Sequence, residues 1–318
     1  MSTISNIIGT DKNVIGDDVA DNVNLYYLEL QAIRFLKSIA AQYQPLFLAY
    51  SGGKDSEVVL HLAQKAQIEF TPFFNMTTID PPGTLKYIRE KGNIMIIPPK
   101  RTFFQLIEHR GLPSTFQRFC CDKLKERYVA HYVITGVRRA ESKRRADRYK
   151  EPSECHVYST GQRGQNFMPI LYWTDEDVEQ YITREHIQCH PIYYDADGKF
   201  NVKQRLGCMA CPLRYDRGRA DFMKYPVLIR AWCRALAAYR NSRIKPTKSV
   251  TYFRDEYENF YHNIFHHSLS ELEAKRNQPN GFDPRAELER LFKITLDPPK
   301  SKLVDIMARW ETNQSQNR

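Results

Sequence analysis

The chain has 318 residues, 42% hydrophobic, 12% aromatic and 26% charged, with a formal net charge of +10. That is enough chain for one large domain or two ordinary ones, and it excludes disorder throughout. No apolar run approaches the roughly 20 residues of a membrane helix, and residues 1–21 carry neither a basic n-region nor an apolar h-region, so a cytoplasmic protein with no membrane association is expected.

Residues 24–43 place Leu25, Leu28, Leu30, Ile33, Leu36 and Ile39 at near-helical spacing and predict a helix. Residues 45–50 form a short apolar run, long enough for a buried strand, that stops at Ser51-Gly52-Gly53. Helical periodicity resumes over 57–66 through Val58, Val59, Leu60 and Leu62, giving strand, glycine loop, helix. The alternation continues with strands at 70–76, 93–97, 131–136 and 167–172. Helices are predicted at 84–91 and 103–109, and Thr174 caps another over 175–184. Such alternation predicts an α/β fold, a mostly parallel sheet with helices on both faces. Beyond about 215 only helices are predicted, at 226–239, 251–272, 284–294 and 303–310.

S-G-G-K-D-S at 51–56 sits between a predicted strand and a predicted helix. Gly52 and Gly53 allow a tight turn that brings backbone N–H groups close to a ligand. The helix N-terminus behind them favours an anion. Ser51, Lys54 and Ser56 add two hydroxyls and a cation. The Walker A spacing is absent.

The seven cysteines do not read as a disulfide framework. Cys120-Cys121 and Cys208-x-x-Cys211 form two close pairs. Four thiolates can hold Zn²⁺ or an iron–sulfur cluster, or the thiols can be redox-active or merely buried. Adjacent cysteines suit one tetrahedral zinc poorly and a cubane better. Lys123 and Lys125 follow the first pair and either offset thiolate charge or face water. Cys155, Cys189 and Cys233 lack partners at ligand spacing and read as buried apolar groups. Residues 100–150 hold 14 Lys/Arg against 5 Asp/Glu, or 14 − 5 = +9. A block of that charge points to anionic partners, with a solvated face as the plainer alternative. Tyr252, Phe253, Tyr257, Phe260, Tyr261 and Phe265 recur at helical spacing and read as core rather than as a base-stacking platform. Arg214, Arg217 and Arg219 follow the second cysteine pair and either guide an anion or face water.

S-G-G-K-D-S resembles the pyrophosphate-binding (PP-loop) motif of ATP pyrophosphatases and phosphoadenosine phosphosulfate reductases. T-G-V-R-R-A-E-S-K-R-R at 135–145, M-P-I-L-Y-W-T-D-E-D-V-E-Q-Y-I at 168–182 and L-G-C-M-A-C-P at 206–212 extend that resemblance in family order across 45–215. T-T-I-D-P-P at 77–82 is similar to a less characterised branch found in phages and mobile elements. The resemblance implies that Ser51, Gly52, Gly53, Lys54, Asp55 and Ser56 hold the phosphates of ATP or a related adenine nucleotide, with Mg²⁺. It makes Gly136, Arg138, Arg139 and Arg144 candidates for the same site, Lys54, Asp55, Arg138 and Arg139 being the catalytic ones. Asp80 is a candidate for a sugar hydroxyl or Mg²⁺, or caps its loop. The cysteine pattern resembles that of sulfonucleotide reductases carrying a [4Fe–4S] cluster, which assigns Cys120, Cys121, Cys208 and Cys211 as ligands.

The reductases use a cysteine in a C-terminal E-C-G-x-H-like tail, whereas residues 311–318 carry none and the last cysteine is Cys233. The expected division is an N-terminal segment and helix (1–44), a PP-loop α/β domain with the four-cysteine site (45–215) and a helical region (216–318). The expected activity is substrate adenylation with pyrophosphate release, a transferase-type reaction, on either a nucleic acid, DNA or RNA recruited by the basic stretch, or a small substrate. The alternatives are an oxidoreductase, a sulfonucleotide reductase releasing sulfite, and a non-catalytic accessory module of a nucleic-acid complex.

Overall fold

The structure is a computed structural model that describes residues 17–114, 116–243, 246–265, 267–279 and 281–316. The expected N-terminal segment at 1–16 and the last two residues of the 311–318 tail lie outside these. In chain order the elements are α1 (Asp17–Gln42), β1 (Leu46–Ala49), α2 (Lys54–Lys65), β2 (Thr71–Asn75), α3 (Thr84–Lys91), β3 (Met95–Ile97) and α4 (Phe103–Arg110). Then come β4 (Tyr132–Ile134), α5 (Lys143–Arg148), β5 (Ser153–Val157), β6 (Arg163–Phe167) and α6 (Asp175–Arg184). The remainder is helical: α7 (Arg219–Lys224), α8 (Val227–Asn241), α9 (Lys248–Thr251), α10 (Glu256–Phe265), α11 (Leu269–Arg276), α12 (Pro284–Phe292) and α13 (Leu303–Gln316).

The backbone divides into two compact units that interleave along the chain. The first unit comprises residues 1–74, 83–97 and 128–206, and the second 75–82, 98–127 and 207–318.

The first unit is built on a six-stranded sheet ordered β3-β2-β1-β4-β6-β5. Leu46 pairs with Tyr132 and Leu48 with Ile134 in parallel register, and Phe47 pairs with Thr71 on the other side of β1. Leu46, Leu48 and Ile134 are fully buried, as strands of a covered parallel sheet must be. The chain runs outward from β1 through β2 to β3 and then returns to β4, on the opposite side of β1. The order therefore reverses between β1 and β4, where open α/β sheets bind their ligands beyond the carboxyl ends of the strands.

The strand expected over 167–172 is displaced. β6 ends at Phe167, and Met168–Trp173 forms a buried turn in which Leu171 N donates to Met168 O at 3.2 Å. Pro169 has no N–H for a ladder, so this apolar run cannot continue as a central strand. The strand lies instead in the polar R-G-Q-N-F run. β5, which sequence periodicity did not reveal, pairs antiparallel with it, Ser153 opposite Phe167 and Val157 opposite Arg163.

The second unit is helical around one aromatic core. The buried face of α8 carries Ile229, Trp232, Cys233 and Leu236 at three- and four-residue spacing. The Trp232 ring centroid lies 5.0 Å from that of Phe103 and 5.6 Å from that of Phe222, and Phe222 meets Phe260 edge-on at 5.3 Å. Burying each such side chain contributes about 1.5–3 kcal/mol. Arg240 is fully buried and donates to the carbonyls of Val250, Phe253 and Ser301, tying α8 to the segment before α13. The single helix expected over 251–272 is three helices, α9, α10 and α11. Asp255 accepts from Glu258 N at 2.9 Å to open α10, and Ser268 with Glu271 forms a capping box that opens α11. His266, within the expected helix, lies outside the described residues. Phe253, Tyr257, Phe260 and Tyr261 are buried in the core, as their spacing predicted.

Candidate nucleotide and cysteine sites

In the first unit β1 delivers Ser51–Gly53 at the reversal point, and α2 begins at Lys54. Gly52 takes φ +73°, and a Cβ there would stand 3.2 Å from Ile88 Cδ1, so both conformation and space call for glycine. Gly53, the N-cap of α2, makes no side-chain bond to the first-turn amides, of which Lys54 N–H donates to Tyr193 OH instead. A helix start of this kind leaves backbone N–H groups for a ligand. The loop is held from within. Ser56 Oγ donates to Gly53 O at 2.7 Å and accepts from Ser51 N at 3.2 Å, while Gly53 N donates to Ser51 Oγ at 3.3 Å. Lys54 is buried, and its Nζ lies 3.2 Å from Asp55 Oδ2.

Gly136, just beyond β4, passes so close to this helix start that a Cβ would lie 2.9 Å from the carbonyl carbon and oxygen of Asp55. Arg138 is fully buried. It donates from Nε to Asp55 Oδ1 at 2.6 Å, from Nη1 to Trp173 O at 3.1 Å and from Nη2 to Asp175 Oδ1 at 2.6 Å. The three separated motifs thus meet in one guanidinium. This corrects the expectation that Arg138 contacts phosphate or sulfate, since its side chain presents no exposed surface and instead braces the loop's own aspartate. Arg139 and Arg144 do not join the cluster. The Arg139 guanidinium sits 5.6 Å over the Tyr172 ring, and Arg144 is exposed on α5.

Five residues behind the loop escaped the sequence reading as site residues: Tyr50, Glu57, Tyr87, Lys91 and Tyr193. Glu57 is buried and accepts from Tyr50 OH, from Tyr87 OH at 2.5 Å and from Lys91 Nζ at 3.1 Å. Burial and the adjacent carboxylate push both phenols well above the ordinary range, so they serve as donors. Tyr87 also borders Gly52, whose Cβ would lie 3.7 Å from its ring. Tyr193 OH accepts from Leu206 N at 3.2 Å and from the Lys54 backbone. Only alternation had marked these residues, and a tyrosine at a strand end carries no motif of its own.

The four cysteines all belong to the second unit, as does Asp80. Cys121 opens a π-helical turn, Cys121–Lys125, that follows directly on Cys120. Such turns recur at functional sites. Cys120 and Cys121 hydrogen-bond to each other, which draws the Cys121 thiol down and drives Cys120 up. Cys120 lies in a buried cluster against which Cys121 and Cys208 also pack. Burial pushes Cys208 up to about 11, opposed by Lys125, and its thiol donates to Thr77 Oγ1 at 3.8 Å. Arg118 Nη2 approaches Cys121 Sγ at 4.0 Å. Among the described residues no three His, Cys, Asp or Glu side chains are placed to hold a single metal ion. A multi-iron cluster, with a wider footprint and four thiolate donors beside Arg118 and Lys125, fits this donor set better.

The loop between Cys208 and Cys211 is rigidly backed. Ala210 N donates to Asp221 Oδ2 at 2.7 Å, and a Cβ on Gly218 would stand 2.4 Å from Ala210 Cα. Asp80 closes the turn at 77–80, accepting from Thr77 N at 2.9 Å and Thr77 Oγ1 at 2.7 Å. That is the loop-capping role named as the alternative to a sugar or Mg²⁺ contact. The remaining cysteines divide: Cys189 and Cys233 are buried and Cys155 is exposed. Complete burial holds the Cys233 thiol well above its ordinary value, so it does not serve as a thiolate nucleophile.

The sequence profile of the phosphoadenosine phosphosulfate reductase domain matches residues 45–214. An uncharacterized protein of Methanocaldococcus jannaschii is 27% identical over 208 residues, 60% of this chain and 47% of that protein. Sulfate adenylyltransferase subunit 2 of Erwinia tasmaniensis is 29% identical over 209 residues, 54% of this chain and 68% of that protein. The chain therefore spans about half the length of the first relative and two thirds of the second. Among solved structures, the phosphoadenylyl-sulfate reductase of Candida auris in a phosphate complex aligns over 54% of this chain and 88% of its own, at 17% identity and a TM-score of 0.40. Among the described residues no helix is long and apolar enough to cross a membrane.

Proposed function

The chain belongs to the phosphoadenosine phosphosulfate reductase domain family of the PP-loop superfamily, and from that premise we propose that it is an enzyme that binds ATP at residues 51–56 and activates a substrate by adenylation. The observation that carries this reading is the start of α2 at the reversal point of the sheet, with Gly52 turning the chain and Lys54 beside it. The amides and Lys54 would take the β- and γ-phosphates. A substrate nucleophile would then attack the α-phosphorus, forming a substrate–phosphorus bond as the α–β bridging bond breaks, and pyrophosphate would leave with the negative charge. Such chemistry asks the protein mainly for positioning and charge stabilisation. Arg138 does the positioning through Asp55. Both Asp55 oxygens are engaged, by Arg138 and Lys54, so Mg²⁺ would enter on the nucleotide's own phosphates. The adenylyltransferase among the relatives supports the reaction type.

Cys120, Cys121, Cys208 and Cys211 would hold a [4Fe–4S] cluster. Such a cluster supplies either a one-electron couple or a structural clip. Arg118 and Lys125 would offset the thiolate charge, and Asp221 would keep the 208–211 loop in place.

Calorimetry on anaerobically prepared full chain, with ATP and the two adenosine phosphosulfates as titrants, tests the nucleotide. ATP is expected to bind more tightly, and Lys54→Ala to abolish its binding. Preference for a phosphosulfate would instead establish the reductase chemistry, and turnover of no nucleotide by protein with full iron content would establish an accessory module. Iron retained fully in all four single Cys→Ser variants would remove the ligand assignment.

A further inference from the structure

Two aromatic side chains of the second unit stand almost wholly in solvent: Phe116 is 95% exposed and Tyr215 is 101% exposed. Burying either ring would be favourable, yet the fold leaves both in solvent. Their places are matched. Phe116 precedes Cys120 by four residues and Tyr215 follows Cys211 by four. Phe119, Cys120, Met209 and Ala210 belong to one buried cluster, so the two segments that carry the rings share one core.

The surroundings are cationic. Segments 98–127 and 207–224 together hold 11 Lys/Arg and 5 Asp/Glu, or 11 − 5 = +6. Lys100, Arg101, Arg110, Lys125 and Lys224 are exposed. Arg214 contributes less, being paired with Asp216 and Asp221. The +9 block at 100–150 does not lie within one unit. It splits between the units, and in the first unit Arg138 is buried while Arg145 and Arg148 pair with Glu141 and Glu154.

Exposed rings interspersed with cations fit a polyanion that carries flat apolar faces. A duplex hides its base faces in the stack, whereas a single strand offers them. A protein partner would call for a contiguous apolar patch rather than isolated rings among cations. We propose that the second unit binds single-stranded nucleic acid at the cysteine-bearing surface, Phe116 and Tyr215 stacking on unpaired bases while the exposed cations take phosphates. This deepens the reading above only in naming what is presented for activation. The binding itself needs no nucleotide.

The test is fluorescence anisotropy of the anaerobic full chain with fluorescein-labelled single strands of about 15 nucleotides, DNA and RNA, and the matching duplex, without ATP and across about 50–200 mM salt. Single strands are expected to bind more tightly than duplex. Phe116→Ala and Tyr215→Ala should each weaken binding by about 5- to 150-fold, from roughly 1–3 kcal/mol per stacked base, with the salt slope and the unfolding midpoint unchanged. Tyr215→Trp should restore the affinity. Unchanged affinity in the double alanine variant, or equal binding of duplex, would overturn the proposal. So would absence of strand binding together with loss of self-association in the alanine variants, which would make the rings a protein interface. Lys54→Ala should leave strand binding intact, so failure of the nucleotide reading and failure of this one are seen in different measurements.

Discussion

Replacing Arg138 by alanine separates a brace from a ligand contact, because the two roles predict opposite patterns of stability and affinity. Alanine removes three donated bonds. The bond to Asp55, whose side chain is 18% exposed, is charge-assisted at 2.6 Å and is worth about 1.5–3 kcal/mol. The bond to the Trp173 carbonyl at 3.1 Å adds about 1 kcal/mol. The bond to Asp175, whose side chain is 44% exposed, adds less than about 1 kcal/mol because water screens it. The sum, about 3–5 kcal/mol, matches the cost of breaking a buried ion pair by removing one partner. Against a total stability of about 5–15 kcal/mol, such a loss shifts the urea midpoint plainly at unchanged slope. Lysine keeps the charge but lacks the planar fork, so Arg138→Lys should recover only part of the loss. ATP affinity should fall along with stability, since Asp55 and Lys54 lose their fixed position. An alanine variant that unfolds at the wild-type midpoint yet no longer binds ATP would refute the brace and return Arg138 to direct contact with the anion.

The other predictions concern close approaches and one carboxylate. Gly136→Ala places a methyl 2.9 Å from the Asp55 carbonyl, so α2 must shift. Overpacking of about 1–3 kcal/mol and at least roughly a tenfold loss of ATP affinity are expected, and wild-type calorimetry would contradict it. Gly218→Ala meets Ala210 Cα at 2.4 Å with φ at +78°. The left-handed backbone alone costs about 1–2 kcal/mol, and reconstituted iron per chain should drop while ATP affinity holds. Burial pushes the Asp216 carboxyl up, but the Ala220 and Gly218 amides and Arg214 outweigh it and hold it below the usual value. Its contribution is therefore fully present above the ordinary aspartate range and fades as the pH falls through the lowered value. Wild-type unfolding midpoints should decline over that acid range, and Asp216→Asn should flatten the decline; parallel curves would show that Asp216 does not carry it.

The parts of this protein that were legible in its sequence are those whose physics is local. A run such as 45–50, closed by two glycines and followed by helical spacing, has few alternatives to a strand, a turn and a helix, and the structure builds all three. The caps at Thr174 and the spacing of the aromatics in α10 are local in the same sense. Misreadings arose where a backbone partner or a cap outweighed composition. Arg163–Phe167 is polar yet lies between two strands, whereas the apolar Met168–Trp173 is a turn because proline stops the ladder. The helix expected over 251–272 failed because Asp255 and Ser268 cap new starts inside an unbroken aromatic period.

At the nucleotide site the limits were of another kind. Residue type announces an arginine's affinity for anions but not which anion it meets. Arg138 is the clearest case, for its motif invited a phosphate and its burial supplies two aspartates and a carbonyl instead. Asp80 is a second, since a carboxylate after a strand end suits a sugar or a metal until the Thr77 amide and hydroxyl are found already bound to it. In both, a charged side chain that reads as ligand-facing is spent on holding the backbone that faces the ligand. The groups left to meet a nucleotide are then the ones with least sequence signature, the amides at the start of α2. That helix start is shaped by glycine at 52 and 136, where a side chain would crowd Ile88 and the Asp55 carbonyl, and by the Arg138 bond to Asp55.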